Sequence, residues 1–292
     1  MNKLLIGIFV LLTACSNPGQ FKVLSISASS NGIAIADWEL CFPGIIKFIE
    51  DQNSDIVTLQ AIKPQYVKDF RTVLGAYSVV TGENDEDDTE FTMNPVLFRS
   101  DRFTLLSKSK FWLSDTPEVP ESFTWGGNEP RTVSWVKLQS IRSGHIFYVF
   151  NAHFCHLDES ARVKSSILLL TKIHNIAGNA PVIVTGCFNM SETSASYQIL
   201  TSNWDRYLSL ENCSHTATRK IARKNANGLD EITPGIILSN GYLQTLKHVS
   251  YNTLSANGEK LTAHEPVMVK MRFLFERRTR QGTMVVPPWL TQ

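Results

Sequence analysis

A long Leu-rich helical pattern, Ala161 to Ile176, hands the chain to a short apolar run, Pro181-Val182-Ile183-Val184-Thr185-Gly186. This is the most restrictive feature of the sequence. A strand that apolar needs cover over a whole face, and the preceding helix is placed to supply it. The run then meets Gly186-Cys187-Phe188-Asn189, which reads as a sharp turn at the strand end.

Similar signals recur along the chain. Phe21 to Ser27 alternates and predicts a first strand. Pro43 predicts the start of an amphipathic helix with Ile45, Ile46, Phe48 and Ile49 on its apolar side, closed by Asn53-Ser54. Asp55 to Gln60 is a second strand, and Pro64 opens a helix reaching about Leu74. Pro95 to Phe98 is a third strand. Val133 to Leu138 and Ile146 to Asn151 read as neighbouring strands of a meander, turning at Arg142-Ser143-Gly144-His145. Gly235 to Ser239 and Val267 to Met271 supply two more, while Glu83 to Glu90 is an acidic surface loop. Strands and helices alternating with mixed spacing predict an α/β (α+β) fold, two packed mixed β-sheets flanked by helices.

At 292 residues, the chain fits one large domain or two small ones, and with no internal repeat or Pro/Ser-rich linker one is favoured. A formal net charge of +1 gives no strong nucleic-acid signal. Lys3, the apolar run Leu4 to Leu12 and Leu12-Thr13-Ala14-Cys15 read as a lipoprotein signal peptide with a lipobox over residues 1–15. The apolar run is too short to span a bilayer comfortably. Cys15 is then the lipidated first residue, residues 16–20 a short tether, 21–275 the folded domain and 276–292 a C-terminal extension. Such a protein is exported and held at a bacterial membrane by its lipid, with Ser16 compatible with outer-membrane sorting. Cys41, Cys155, Cys187 and Cys213 would lie in an oxidising compartment, fit no C-x-x-C zinc pattern, and are not paired by sequence alone.

Taken in order, several stretches resemble the endonuclease/exonuclease/phosphatase superfamily, the deoxyribonuclease-I-like fold. They are Val23 to Ser27, Trp38-Glu39, Asp55 to Ala61, Asn94 to Phe103, Phe111 to Pro117, Pro130 to Trp135, Asn151-Ala152-His153-Phe154, Gly186 to Asn189 and Ala263-His264-Glu265-Pro266-Val267. The resemblance is nearest to a secreted bacterial branch. It implies a four-layer α/β sandwich with its site in the cleft at the sheet ends. It also implies a metal that neutralises a phosphate oxygen and a water oriented for in-line attack.

The residues at the positions that matter depart from that pattern. Ser27 and Ala61 stand where the resemblance expects the metal-binding Asn and Glu. Cys187 replaces the water-activating Asp, and Ala263 the Asp before the last catalytic His. His153, Asn189 and His264 are retained, and the Asp expected to pair with the final His falls near Pro234 or Gly235, with Asp230 a few residues early. His153 and His264 either share a pocket or sit separately at strand ends. Asn189 can simply hold the turn. Arg131 either faces the cleft and attracts anions or packs. Cys155 and Cys187 are small buried residues, a disulfide or a reactive thiol.

The leading expectation is therefore an inactive or severely impaired homologue that keeps a cleft for a phosphate-containing or other anionic small ligand. No cofactor is expected, and the protein partner is unknown. The alternative is an active phosphoesterase using Mg²⁺ held by replacement acids such as Asp230, Glu265 or Glu90, the last near Thr92 where the resemblance expects a His-orienting Glu.

Overall fold

The computed structural model describes residues 19–27, 38–83, 89–127, 129–203, 208–221, 233–253, 261–262, 264–274, 277–278 and 284–285. Residues 1–18, Ala263, Asp230 and most of the C-terminal extension lie outside the described residues, and with them the signal peptide and Cys15.

One sheet is built from β1 (Gln20–Ser27), β2 (Ile56–Gln60), β3 (Tyr77–Val80), β4 (Val96–Arg99), β10 (Arg219–Ile221), β12 (Leu243–Ser250) and β13 (Val267–Phe273). Its seven strands run in the order β10-β12-β13-β1-β2-β4-β3. The second uses β5 (Phe103–Trp112), β6 (Thr132–Ser140), β7 (Ile146–His153), β8 (Val182–Met190), β9 (Glu211–Asn212) and β11 (Thr233–Ser239). Its six strands run β5-β6-β7-β8-β11-β9. Both sheets are mixed: β1 runs parallel to β2 and β7 to β8, while β13, β4, β6 and β11 run antiparallel to their neighbours. The short pair β14 (Arg277–Arg278) and β15 (Met284–Val285) stands apart.

Period-two alternation sends successive side chains to opposite faces. Phe21, Val23, Val136, Phe147, Ile183 and Val269 therefore meet between the sheets. On the outer face of the first sheet, Leu24 and Ile26 pack under α1 (Trp38–Gln52) and α2 (Pro64–Val73). On the outer face of the second, Phe150 and Val184 pack under α3 (Glu159–Ala177), with α4 (Ala195–Leu200) beside it and α5 (Cys213–Thr216) following β9. The result is the four-layer α/β sandwich expected from sequence.

Three local differences from the sequence reading have physical causes. Helix α1 begins at Trp38, not at Pro43, which sits inside it. Trp38 stacks on Tyr66 at 4.3 Å and donates from Nε1 to Asp69, so contacts with α2 anchor the early turn. Strand β5 was not expected, because its exposed edge lacks clean alternation. Strand β8 does not stop at Gly186 but runs buried to Met190, with Asn189 at a left-handed φ of 51° absorbing the bend.

Candidate functional site

The pairings bring one end of many strands to a common edge. Ser27 ends β1 and Gln60 ends β2. Val96 begins β4, Thr132 begins β6, His153 ends β7, Thr233 begins β11 and Val267 begins β13. Gly186 lets β8 approach β7 here, since a Cβ on it would lie 2.4 Å from the Ala152 carbonyl oxygen. One residue on, Cys187 sits opposite His153 on β7 and Gly235 on β11. The position near Gly235 expected to carry an acid is thus at this edge, occupied by a residue without a side chain.

Cys187 is 1% exposed. Burial pushes its thiol up to about 11, against smaller opposing pulls from Ser27, Arg131 and the Asn189 backbone. At neutral pH the thiol is therefore protonated. Its Sγ lies 3.5 Å from Asn189 Oδ1. Asn189 Nδ2 donates to the Phe154 carbonyl at 2.9 Å, and the Phe154 N–H donates to the Cys187 carbonyl at 2.9 Å. Asn189 therefore ties the bend in β8 to the end of β7. No disulfide joins Cys41, Cys155, Cys187 and Cys213.

Arg131, just before β6, is buried at this edge. It is 6% exposed, and Nη1 lies 2.9 Å from Nδ1 and 3.1 Å from Nε2 of His153. Nη2 reaches His156 Nδ1 at 3.3 Å and forms an ion pair with Glu129 at 2.9 Å. Its Nε is buried with no hydrogen-bond partner. Burial holds His153 well below the usual histidine range, and the neighbouring Arg131, His156 and His264 push the same way, so His153 is a neutral acceptor. His264 is half-buried and close enough for its charge to bear on His153; its carbonyl accepts from the Thr262 hydroxyl at 2.8 Å. The two retained histidines are thus near enough for the charge of one to bear on the other.

Beside them, Ala61 adopts φ of 59° and donates its N–H to Asn94 Oδ1 at 3.2 Å. Asn94 Nδ2 in turn donates to the Thr132 carbonyl and hydroxyl, both at 2.9 Å. Gln60 Nε2 donates across the sheets to Asn151 Oδ1 at 2.8 Å and to Ser25 Oγ at 3.1 Å. Asn151 Nδ2 returns two bonds to the Leu59 and Pro95 carbonyls at 2.8 and 3.0 Å. A cavity of about 420 Å³ opens from Asn94 and Thr132, lined also by Thr92, Lys110, Trp112 and Glu121.

Magnesium favours hard oxygen ligands, usually with one or two carboxylates. Ser27, Ala61, Cys187 and Asn189 offer a hydroxyl, a methyl, a protonated thiol and a neutral amide oxygen that faces the Cys187 thiol. Among the described residues, no group of three or more His, Cys, Asp and Glu is placed to hold a metal ion. Glu90 and Glu265 are exposed, and Asp230 lies outside the described residues. These donors do not fit a divalent cation.

The sequence reading assigned no role to Gln60, Asn151, Glu129 or His156. The spacing His153-x-x-His156 and the acid two residues before Arg131 were the only signals of the last two.

No family model matches the chain. A curated relative, uncharacterized protein R895 of Acanthamoeba polyphaga mimivirus, is 22% identical over 200 residues, 57% of this chain and 29% of that protein. The chain thus matches less than a third of that relative's length. Among solved structures, an endonuclease/exonuclease/phosphatase from Bacteroides vulgatus superposes with a TM-score of 0.77 at 22% identity, over 87% of this chain and 99% of that one. An endonuclease/exonuclease/phosphatase family protein from Bacteroides thetaiotaomicron gives 0.75 at 26% identity, over 88% and 99%. A mannosyl-6-phosphatase from Bacteroides thetaiotaomicron gives 0.74 at 25% identity, over 87% and 100%. Paired mixed sheets between helix layers, with a polar cleft at one edge, define the deoxyribonuclease-I-like class of fold. The chain has the fold of the endonuclease/exonuclease/phosphatase superfamily.

Proposed function

We propose that this chain is an exported, lipid-anchored member of the superfamily whose cleft binds a phosphate-containing or other anionic small ligand without turning it over. One observation carries the reading: a buried, protonated Cys187 stands where the resemblance expects a water-activating aspartate, beside a buried Arg131 held against neutral His153. The guanidinium supplies the positive charge an anion needs, and its fork suits phosphate oxygens. The positions from which the resemblance expects a nucleophile to be generated hold Ala61 and Cys187, and neither carries a carboxylate. Removing one preorganised electrostatic group from an active site costs roughly 10²- to 10³-fold in rate. Losses within one catalytic unit do not multiply, yet lacking the metal's main carboxylate and the base together removes most of the catalysis.

The likeness to a mannosyl-6-phosphatase makes mannose 6-phosphate a sensible first probe. Incubated with Mg²⁺ or Mn²⁺, the purified protein should hydrolyse neither that monoester, a phosphodiester nor DNA, and calorimetry should detect no tight Mg²⁺ binding. The triple variant Ala61→Glu, Cys187→Asp, Ala263→Asp should gain Mg²⁺ affinity. Brisk metal-dependent hydrolysis by the unaltered chain would overturn the proposal and favour replacement acids.

A further inference from the structure

The edge of the sandwich opposite the cleft carries a separate concentration of positive charge. Three lysines face one another across adjacent strands: Lys22 on β1 is opposite Lys270 on β13, and Lys270 is opposite Lys247 on β12. Like charges directly opposite in a sheet repel and destabilise the pairing. Here the repulsion reaches Lys22, whose ammonium is pulled below the usual lysine range first by burial and then by Lys270 and Lys247, against the attraction of Asp55.

The lysine row borders a concavity of about 360 Å³ that Lys22 and Lys270 share with Arg99, Arg102 and Arg142. Only Asp55 and Asp101 lie among those cations in the lining. Both acids are engaged: Arg102 pairs with Asp55 at 2.7 Å and Arg99 with Asp101 at 2.9 Å. The surplus is therefore cationic. Gln20, where β1 begins, also lines this concavity.

That last contact ties the patch to the N-terminal segment. Cys15 precedes Gly19 by four residues, which span no more than about 15 Å when fully extended. A lipid on Cys15 would keep this edge within that distance of the bilayer. Electrostatic attraction to anionic headgroups acts over about 8 Å at physiological ionic strength, so the lysine row could reach them.

We propose that the edge formed by Lys22, Lys247 and Lys270 with the neighbouring arginines docks on the phosphate headgroups of the membrane that holds the anchor. The cleft then opens on the far side, about 26 Å away along the eight residues of β1. The inference rests on the lipid-anchor part of the proposed function, and its test separates the two. The full chain with Cys15→Ala is mixed with vesicles of phosphatidylcholine alone or with added phosphatidylglycerol. Its N-terminal run, with Lys3, is the same in every variant, so the part of the phosphatidylglycerol gain that is lost on reversing the lysines reports the basic edge.

That gain is expected to be about tenfold or more and to vanish at high salt. Adding Lys247→Glu and Lys270→Glu should remove most of it while keeping or raising the melting temperature, because the substitutions relieve the lysine repulsion. Equal binding to both vesicles, or a gain that survives the two reversals, overturns the docking proposal. So does release by inorganic phosphate at constant ionic strength, which would mark a pocket for free anions. Mass spectrometry of Cys15 in the unaltered chain tests the anchor alone; an unmodified thiol sinks that reading and leaves the vesicle result to stand by itself.

Discussion

Arg131 holds Nη1 2.9 Å from Nδ1 of His153, a permanent cation against a buried neutral imidazole. The contact leaves the guanidinium with one ion-pair partner, Glu129, on the side away from the histidine. A bound anion would compete with that carboxylate. Arg131→Gln is expected to weaken inorganic phosphate binding about 10- to 100-fold, the worth of a charge-assisted bidentate contact. Glu129→Gln should strengthen it a few-fold. Both are read by calorimetric titration, and an unchanged affinity in Arg131→Gln would place the anion elsewhere.

The depressed His153 makes stability pH-dependent with a defined sign. Between its folded value and the ordinary histidine range near 6.5, the unfolded chain binds a proton that the folded chain refuses. Stability is therefore full above about pH 6.5 and falls on acidification, by at most about 1.4 kcal/mol per pH unit for this one group. Once pH drops below the folded value, His153 contributes no further loss. His156 and His145, also depressed by burial, act in the same direction. Denaturation curves from pH 7 to pH 5 should show the decline, and His153→Gln should make it shallower.

Asn151 is completely buried and bonds to Gln60, Leu59 and Pro95 at once. Asn151→Leu removes the shared partner and leaves two carbonyls without its donors. Each orphaned buried group costs about 1–3 kcal/mol, so a loss near 3 kcal/mol is expected. Urea unfolding should show a lower midpoint with an unchanged slope.

Ala61 holds a left-handed backbone that costs an L-residue about 1–2 kcal/mol. Glycine removes that strain at an entropic cost of about 0.5–1 kcal/mol. Ala61→Gly should therefore raise stability slightly, while Ala61→Val should lower it, as measured by thermal unfolding.

The thiols should separate by access. Iodoacetamide at neutral pH should modify half-buried Cys41 while sparing Cys187, whose thiol is buried and held near 11. Rapid labelling of Cys187 in the folded protein, slowed by phosphate, would revive a thiol-based chemistry that the geometry argues against.

Much of this was legible in the chain. The apolar run at Val182 to Val184 and the proline at the head of α2 predicted their elements, because burial on a whole face and an orphan N–H leave direct marks in sequence. Strand β5 left none, since most of its residues are exposed or half-buried in no regular alternation along an open edge. The early turn of α1 was hidden for another reason: the partners of Trp38 lie on α2. At the site, the retained words located His153, Asn189 and His264, and His264 lies near enough for its charge to bear on His153. What joins them was not legible. Gln60 and Asn151 are 91 positions apart and Arg131 and His153 are 22, so only the packing of two sheets makes them neighbours.

The amide pair between Gln60 and Asn151 also sets how the rim responds to its surroundings. Neutral side chains stitch the facing strands together there, with Thr185 adding a hydroxyl to Asn151. The cohesion of the rim thus needs no ion to complete it. Chelators should leave hydrogen exchange in β2 and β7 unchanged, and the mouth should keep its shape through swings in divalent-cation supply.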